Sequence, residues 1–299
     1  RHPLIVVIWQ TEAGGLWGTH AAAAALTPAE LATVSRSGKT IREGIAFLGG
    51  DPDHLERTRM KKGDIAAYLE LHIEQGGTLE KEKLDIGVVE GIVGIHQWNV
   101  TIDGFQNHAG TTAMDNRHDA LLSAARFIEA VNRVITSEPG RQVGTVGRIN
   151  AIPGTVNVIP GKVECTLEIR DLDAKKIDSL FGKVEAEAKK IGEMNGTTFT
   201  FAQFTNNIPA PTSPAIRAMV AASATELNLT HKTMPSGAGH DAQDVAQIAP
   251  VGMIFIPSIG GISHAPKEFS RPQDITNGAN VLINTLMKLD ASPPLPMPQ

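Results

Sequence analysis

The sequence predicts an α/β protein in which one layered domain is split by an inserted β-α-β-β-α-β unit. Three observations carry this. Apolar runs at residues 4–9, 66–71 and 251–256 read as buried strands, and each stops at a polar or glycine-rich stretch, as strands of an open α/β sheet do. From about residue 91 the pattern becomes strict alternation: Trp98, Val100 and Ile102 against Asn99, Thr101 and Asp103. The same period of two returns at Val163, Cys165, Leu167 and Ile169 against Glu164, Thr166, Glu168 and Arg170, the mark of half-buried strands. Between and after these lie two helical periodicities.

The elements follow in order. An alanine-rich helix is expected after Gly18, then a turn-rich stretch through residues 49–53, then the strand that runs into His72. In the inserted unit, Leu121, Ala125, Ile128, Val131 and Ile135 share a helical face, predicted to be the buried one. Residues 143–152 read as one strand, Asp173 caps a helix buried along Ile177, Leu180, Val184, Ala188 and Ile191, and residues 197–204 close the set as a split βαβ or ferredoxin-like arrangement. A helix then starts at Ser213-Pro214, with serine as cap and proline in the first turn, and a last one spans residues 275–289. The domains expected are residues 1–90 with 205–299, and a lid-like unit at 91–204.

Composition narrows the class. The 299 residues are 41% hydrophobic with a net charge of −5, enough for ordinary cores, and no run approaches the roughly 20 apolar residues of a membrane helix. The absence of a dense basic cluster argues against nucleic acid or an anionic membrane as partner. A single cysteine, Cys165, excludes an internal disulfide and fits a reducing compartment, so a cytoplasmic location is expected. The start at Arg1-His2-Pro3, straight into a strand, points to a segment missing upstream, and the proline-rich residues 292–298 read as a tail.

The chemistry collects at the strand ends. Glu12, His72, His240 and His264 all stand there, a set that suggests metal-assisted hydrolysis, although any lone histidine is more often a surface or satisfied core residue. A serine hydrolase is disfavoured because no Gly-x-Ser-x-Gly elbow occurs. The glycine pairs at 14–15, 76–77 and 260–261 lack a following Gly-Lys-Ser/Thr, so they are not phosphate loops. They read instead as places of close backbone approach.

Six segments resemble those of the M20 metallopeptidase-type amidohydrolases: Glu-Leu-His-Ile-Glu-Gln-Gly (70–76), Asn-His-Ala-Gly-Thr-Thr (107–112), Asn-Val-Ile-Pro-Gly (157–161), Glu-Ile-Arg-Asp (168–171), Ser-Gly-Ala-Gly-His-Asp-Ala (236–242) and Gly-Ile-Ser-His-Ala-Pro-Lys-Glu (261–268). The nearest branch is the hydantoinase/carbamoylase group, with N-carbamoyl-L-amino-acid hydrolases, allantoate and ureidoglycolate amidohydrolases and β-ureidopropionases. The resemblance implies a zinc-peptidase-like α/β domain, an inserted lid that also dimerises, and a site for two divalent ions (Zn, Mn, Co or Ni) that activate water. It implies Glu12 as general base, His72 and His264 as metal ligands, and His108 as a catalytic residue stabilising the oxyanion across a homodimer. Gln75, His108, Asn157, Arg170, Gly237 and Ala238 would hold a small carboxylate substrate, Arg170 by its guanidinium fork. The plainer readings are that Glu12 is a solvated loop carboxylate, Asn157 shapes a turn, and Arg170 pairs with Glu168 or Asp171.

The chain departs from that pattern. No His-x-Asp occurs, and Ala13 stands where the family carries a second glutamate. One histidine per ion falls short of the three or four ligands a zinc site takes, so impaired metal binding and turnover are expected. The rival reading is a catalytically silent, dimeric binding or regulatory homologue on the same fold.

Overall fold

A computed structural model of the chain describes residues 2–11, 15–35 and 37–297. The fold is mixed α/β, and it divides into two compact units, residues 1–92 with 210–299 and residues 93–209. In the first unit, short helices α1 (Trp17–Ala23), α2 (Pro28–Leu31) and α3 (Ile41–Phe47) precede β1 (Tyr68–Ile73), and α4 (Thr78–Glu82) leads into β2 (Ile86–Ile92). The second unit holds β3 (Gly94–Asp103), β4 (Asn107–His108), α5 (Ala120–Ser137), β5 (Val143–Thr145), β6 (Ile149–Ile152), β7 (Val158–Ile159), β8 (Lys162–Asp171), α6 (Ala174–Asn195) and β9 (Thr198–Asn207). The chain then re-enters the first unit with β10 (Ala210–Pro211), α7 (Pro214–Glu226), β11 (His231–Ser236), α8 (Asp241–Val245), β12 (Val251–Ile256) and α9 (Pro272–Ala291).

The sheet of the first unit runs β1-β12-β2-β10, with β11 also on β2. β1 lies parallel to β12 in the register Glu70↔Met253 and His72↔Phe255. Pleating sends alternate residues to opposite faces. Leu69, Leu71 and Ile73 therefore join Ile254, Ile256, Ile216, Val220 and Val281 in the layer made with α7 and α9. Met253, Phe255 and Tyr68 turn the other way, to Leu79, Ala242 and Val245. β1 has β12 as its one strand partner among the described residues, and its residues are half-buried rather than fully buried as predicted.

In the second unit β5, β8, β3 and β9 form an antiparallel sheet in that order, with β6 also on β8. The alternating residues of β3 and β8 face α5 and α6, where Trp98, Val100, Ile102, Val163, Cys165, Leu167 and Ile169 are buried. Asp173 caps α6 through the Lys175 amide, and all five of its predicted core positions are buried.

Several expectations fail for identifiable reasons. Residues 4–9 form no strand: no strand among the described residues pairs with them, and Leu4, Ile5, Val6 and Ile8 are exposed, Ile8 at 87%. This ribbon is fastened by His2, whose amide donates to Asp290 Oδ1 at 2.9 Å, and by Trp9, whose Nε1 donates to the Tyr68 hydroxyl at 3.2 Å. Helix α5 is rotated from its predicted face. Leu121, Ala125 and Ile128 are exposed, while Val131 and Ile135 are buried as predicted, together with Ala120, Ser123, Ala124, Phe127 and Val134. Phe127 sets that rotation by placing its ring 5.5 and 6.0 Å from Phe199 and Phe201, and small residues beside it let the helix approach. Residues 143–152 break into β5 and β6, both on β8. Ser213 stands at the amino end of α7 without a side-chain capping bond; Pro214 alone matches the expectation there.

The core of the first unit has no room at Gly252. A Cβ there would lie 2.2 Å from Ile216 Cγ2 and 3.0 Å from Leu69 Cδ2. Gly252→Ala is expected to lower stability by about 1–3 kcal/mol through overpacking, measured by urea unfolding. A loss below about 0.5 kcal/mol would mean that α7 is free to move away from the sheet.

Candidate active site

Strand β1 builds the site by alternation. Its odd residues are apolar and go to the core, so Tyr68, Glu70 and His72 share the opposite face. The turn after β11 brings His240 beneath them at the start of α8. Glu70, His72 and His240 each offer one ligand atom, and these atoms lie within 4.8 Å of one another. The two imidazoles meet edge to face with centroids 4.4 Å apart.

The hydrogen bonds fix which atoms are offered. His72 Nδ1 donates to Ile73 O at 2.8 Å, which puts the lone pair on Nε2. The Ser236 hydroxyl donates to Ala238 O at 2.9 Å, so His240 Nε2, 2.7 Å from that oxygen, carries its own proton and donates. The lone pair of His240 is then on Nδ1, which faces Glu70 Oε1 at 3.7 Å. A cation between or beside these two groups would compensate both. Glu70 Oε2 meanwhile accepts from the Ala242 amide at 2.8 Å and from the Tyr68 hydroxyl at 3.2 Å. His240 is fully buried and Glu70 is 10% exposed. Burial pushes the Glu70 carboxyl up to about 7, against the Ala242 hydrogen bond that lowers it. One carboxylate and two imidazoles are the donor set of three-ligand catalytic zinc sites, and this cluster fits a divalent ion.

The sequence put His72 and His264 on separate ions, one histidine each; the cluster instead brings His72 together with Glu70 and His240. Glu70 and His240 are not among the ligands assigned from the sequence, although the alternation of β1 puts Glu70 beside His72 and His240 stands in the set of strand-end groups.

The other predicted residues fall as follows. Glu12 lies outside the described residues. His264 is not in the three-donor cluster; its Nε2 is 3.3 Å from Gln75 Nε2, and both residues have left-handed backbones. The Gln75 amide donates to Ser258 Oγ at 3.0 Å. Glu268 accepts from the His264 amide and the Ser263 hydroxyl, which hold its carboxyl below the ordinary range, helped by the charges of His264 and His72. Gly237 and Ala238 form the turn before His240, where the Ala238 amide donates to Ser236 Oγ at 3.2 Å. Glu74, inside the motif, serves as a cap: its two oxygens accept from the Thr78 and Leu79 amides, each at 2.8 Å. The pairs at 76–77 and 260–261 approach each other closely: a Cβ on Gly261 would lie 2.8 Å from Gly77 N.

His108, Asn157 and Arg170 belong to the 93–209 unit. The β4–β7 pairing sets His108 opposite Val158, next to Asn157, whose carbonyl accepts from the Ala109 amide at 2.9 Å. His108 Nδ1 accepts from the Gly110 and Thr111 amides, leaving its proton on Nε2. Arg170 Nε donates to Glu168 Oε1 at 2.7 Å.

A pH dependence follows from Glu70. Its folded pKa of about 7 exceeds the ordinary 4.5, so its contribution to stability is complete below pH 4.5 and is lost as pH rises through about 7. In metal-free protein that loss is expected to reach about 3 kcal/mol, measured by urea unfolding across this range. Glu70→Gln is expected to abolish it; equal pH dependence in both proteins would assign it elsewhere.

Comparison with known proteins shows which family the chain belongs to. The chain matches the sequence model of peptidase family M20/M25/M40 over residues 2–288. It is 34% identical over 296 residues to the N-carbamoyl-L-amino-acid amidohydrolase of Paenarthrobacter aurescens, covering 97% of this chain and 72% of that protein. It is 42% identical over 239 residues to the ureidoglycolate hydrolase of Arabidopsis thaliana, covering 79% and 50%. The crystal structure of a hydantoinase/carbamoylase family amidase from Burkholderia multivorans superposes with a TM-score of 0.82 at 33% identity, over 92% of this chain and 66% of that one. With nearly the whole sequence aligned and the fold shared, the chain belongs to peptidase family M20/M25/M40.

Proposed function

We propose that the chain is a metal-dependent amidohydrolase acting on the linear C–N bond of an N-carbamoyl amino acid or an allantoate-like ureide. The observation that carries this is the three-donor cluster of Glu70, His72 and His240; the names of the relatives supply the substrate class. A divalent ion bound there would polarise the substrate carbonyl and bring the pKa of a bound water toward about 7.

The chain's own residues divide the remaining work. Glu12 takes the proton of the attacking water and returns it to the leaving nitrogen. Arg170 exchanges its bond to Glu168 for the substrate carboxylate, which its fork matches. Asn157 and Gln75 orient the substrate amide, the backbone at Gly237 and Ala238 lines its path, and His108 offers its Nε2 proton to the developing oxyanion. His264, beside Gln75, is a further ligand position on the metal side. The 93–209 unit acts as lid and homodimer contact, through which His108 serves the partner's site.

One observation favours a second reading. Ala13 occupies the place of the family's second glutamate, which fits a silent binding homologue that keeps the fold and not the reaction.

The test is ammonia release from N-carbamoyl-L-amino acids, allantoate and ureidoglycolate, with metal loaded and after chelation. Turnover of one of them that chelation removes and zinc or manganese restores is the expected result. Full metal occupancy with no turnover of any would overturn the enzyme reading and leave the silent one. For an active substrate, Arg170→Met is expected to raise KM roughly a hundredfold, the loss of a charge-assisted pair of about 3 kcal/mol. An unchanged KM would remove Arg170 from the binding site.

A further inference from the structure

The two oxygens of Glu70 are not equivalent. Oε2 accepts two hydrogen bonds, from the Ala242 amide at 2.8 Å and the Tyr68 hydroxyl at 3.2 Å. Oε1 is the oxygen that faces His240 Nδ1 at 3.7 Å. The Tyr68 hydroxyl is itself oriented, because it accepts from Trp9 Nε1 at 3.2 Å and so has its proton directed at Glu70. The ring packs with the apolar cluster around Met253 and Phe255, which fixes the phenol's direction independently of any ion.

Donors that engage one oxygen of a ligating carboxylate leave the other as the single ligand atom and hold its rotamer. Such outer partners set metal affinity nearly as strongly as the ligands do. We propose that Tyr68 is the positioning residue of this centre: its hydroxyl holds Glu70 Oε2 so that Oε1 alone serves as a one-oxygen ligand beside His240 and His72. This rests on reading the cluster as a metal centre, and it adds a residue outside the donor set, held in turn by Trp9. It also explains why the tyrosine stands two residues before the glutamate: strand alternation brings both to the same face.

The experiment measures Zn²⁺ affinity by chelator competition, and the visible spectrum of the Co²⁺-loaded full chain, for wild type, Tyr68→Phe, Trp9→Phe, Glu70→Ala and His240→Ala. Tyr68→Phe is expected to weaken affinity 10- to 100-fold. Its Co²⁺ absorption should fall as the released carboxylate contributes both oxygens and the coordination number rises. The unfolding midpoint of the metal-free protein should stay within a few degrees of wild type. Trp9→Phe, which leaves Tyr68 and Glu70 in place, is expected to act in the same direction by less. Affinity and spectrum unchanged in Tyr68→Phe, with binding lost in Glu70→Ala and His240→Ala, would overturn the positioning role and keep the metal centre. Unchanged affinity in both of those alanine variants would overturn the metal centre itself.

Discussion

A carboxylate with a tenth of its surface in contact with water must find its charge compensated or give the charge up, and Glu70 faces that choice between two imidazoles. Its neighbours are arranged for compensation. One oxygen takes an amide and a phenol, and the other is left toward a nitrogen of His240. A proton satisfies this arrangement partly, which is why the group titrates near neutrality when nothing else is bound. A divalent ion would compensate the carboxylate and both imidazoles together. The direction of β1, the placing of α8 and the turn through Ser236 each exist in the form that keeps this carboxylate dry and aimed.

The same strand supplies core and chemistry. Tyr68-Leu69-Glu70-Leu71-His72-Ile73 gives three apolar side chains to the α7 and α9 layer and three polar ones to the site. A one-residue slip of β1 against β12 would exchange the two sets. The tight seat at Gly252, where Ile216 and Leu69 close on the backbone, is one of the contacts that forbids such a slip. Site geometry and fold stability are therefore tied through register, not merely through proximity.

The sequence was legible where one period governed. The alternation in β3 and β8 and the helical stripe of α6 match the buried residues because each element has one wet face. Helix α5 misled because leucine and isoleucine occur on its outer side while alanine, serine and one phenylalanine do the packing; size complementarity against Phe199 and Phe201 outweighed hydrophobic count. Residues 4–9 misled for another reason. An apolar, β-branched run specifies strand propensity but not the neighbour a strand requires. At the site, His72 and the Gln75–His264 neighbourhood were reachable from motifs, and Glu70 from alternation alone. His240 was placed at a strand end by its motif, but its seat against Glu70 was not, since that depends on where β11 and α8 come to rest. Glu74 shows the converse, an acidic motif residue whose two oxygens are spent on helix amides.

The ribbon at residues 4–8 reaches further than its position suggests. Its carbon-rich side chains sit in water, so a vessel wall, a micelle or a chaperone groove competes for them. Whatever draws the ribbon aside also tugs on the Trp9 indole that braces the Tyr68 phenol. Storage and surface conditions thus bear on the face of β1 that carries Tyr68, Glu70 and His72.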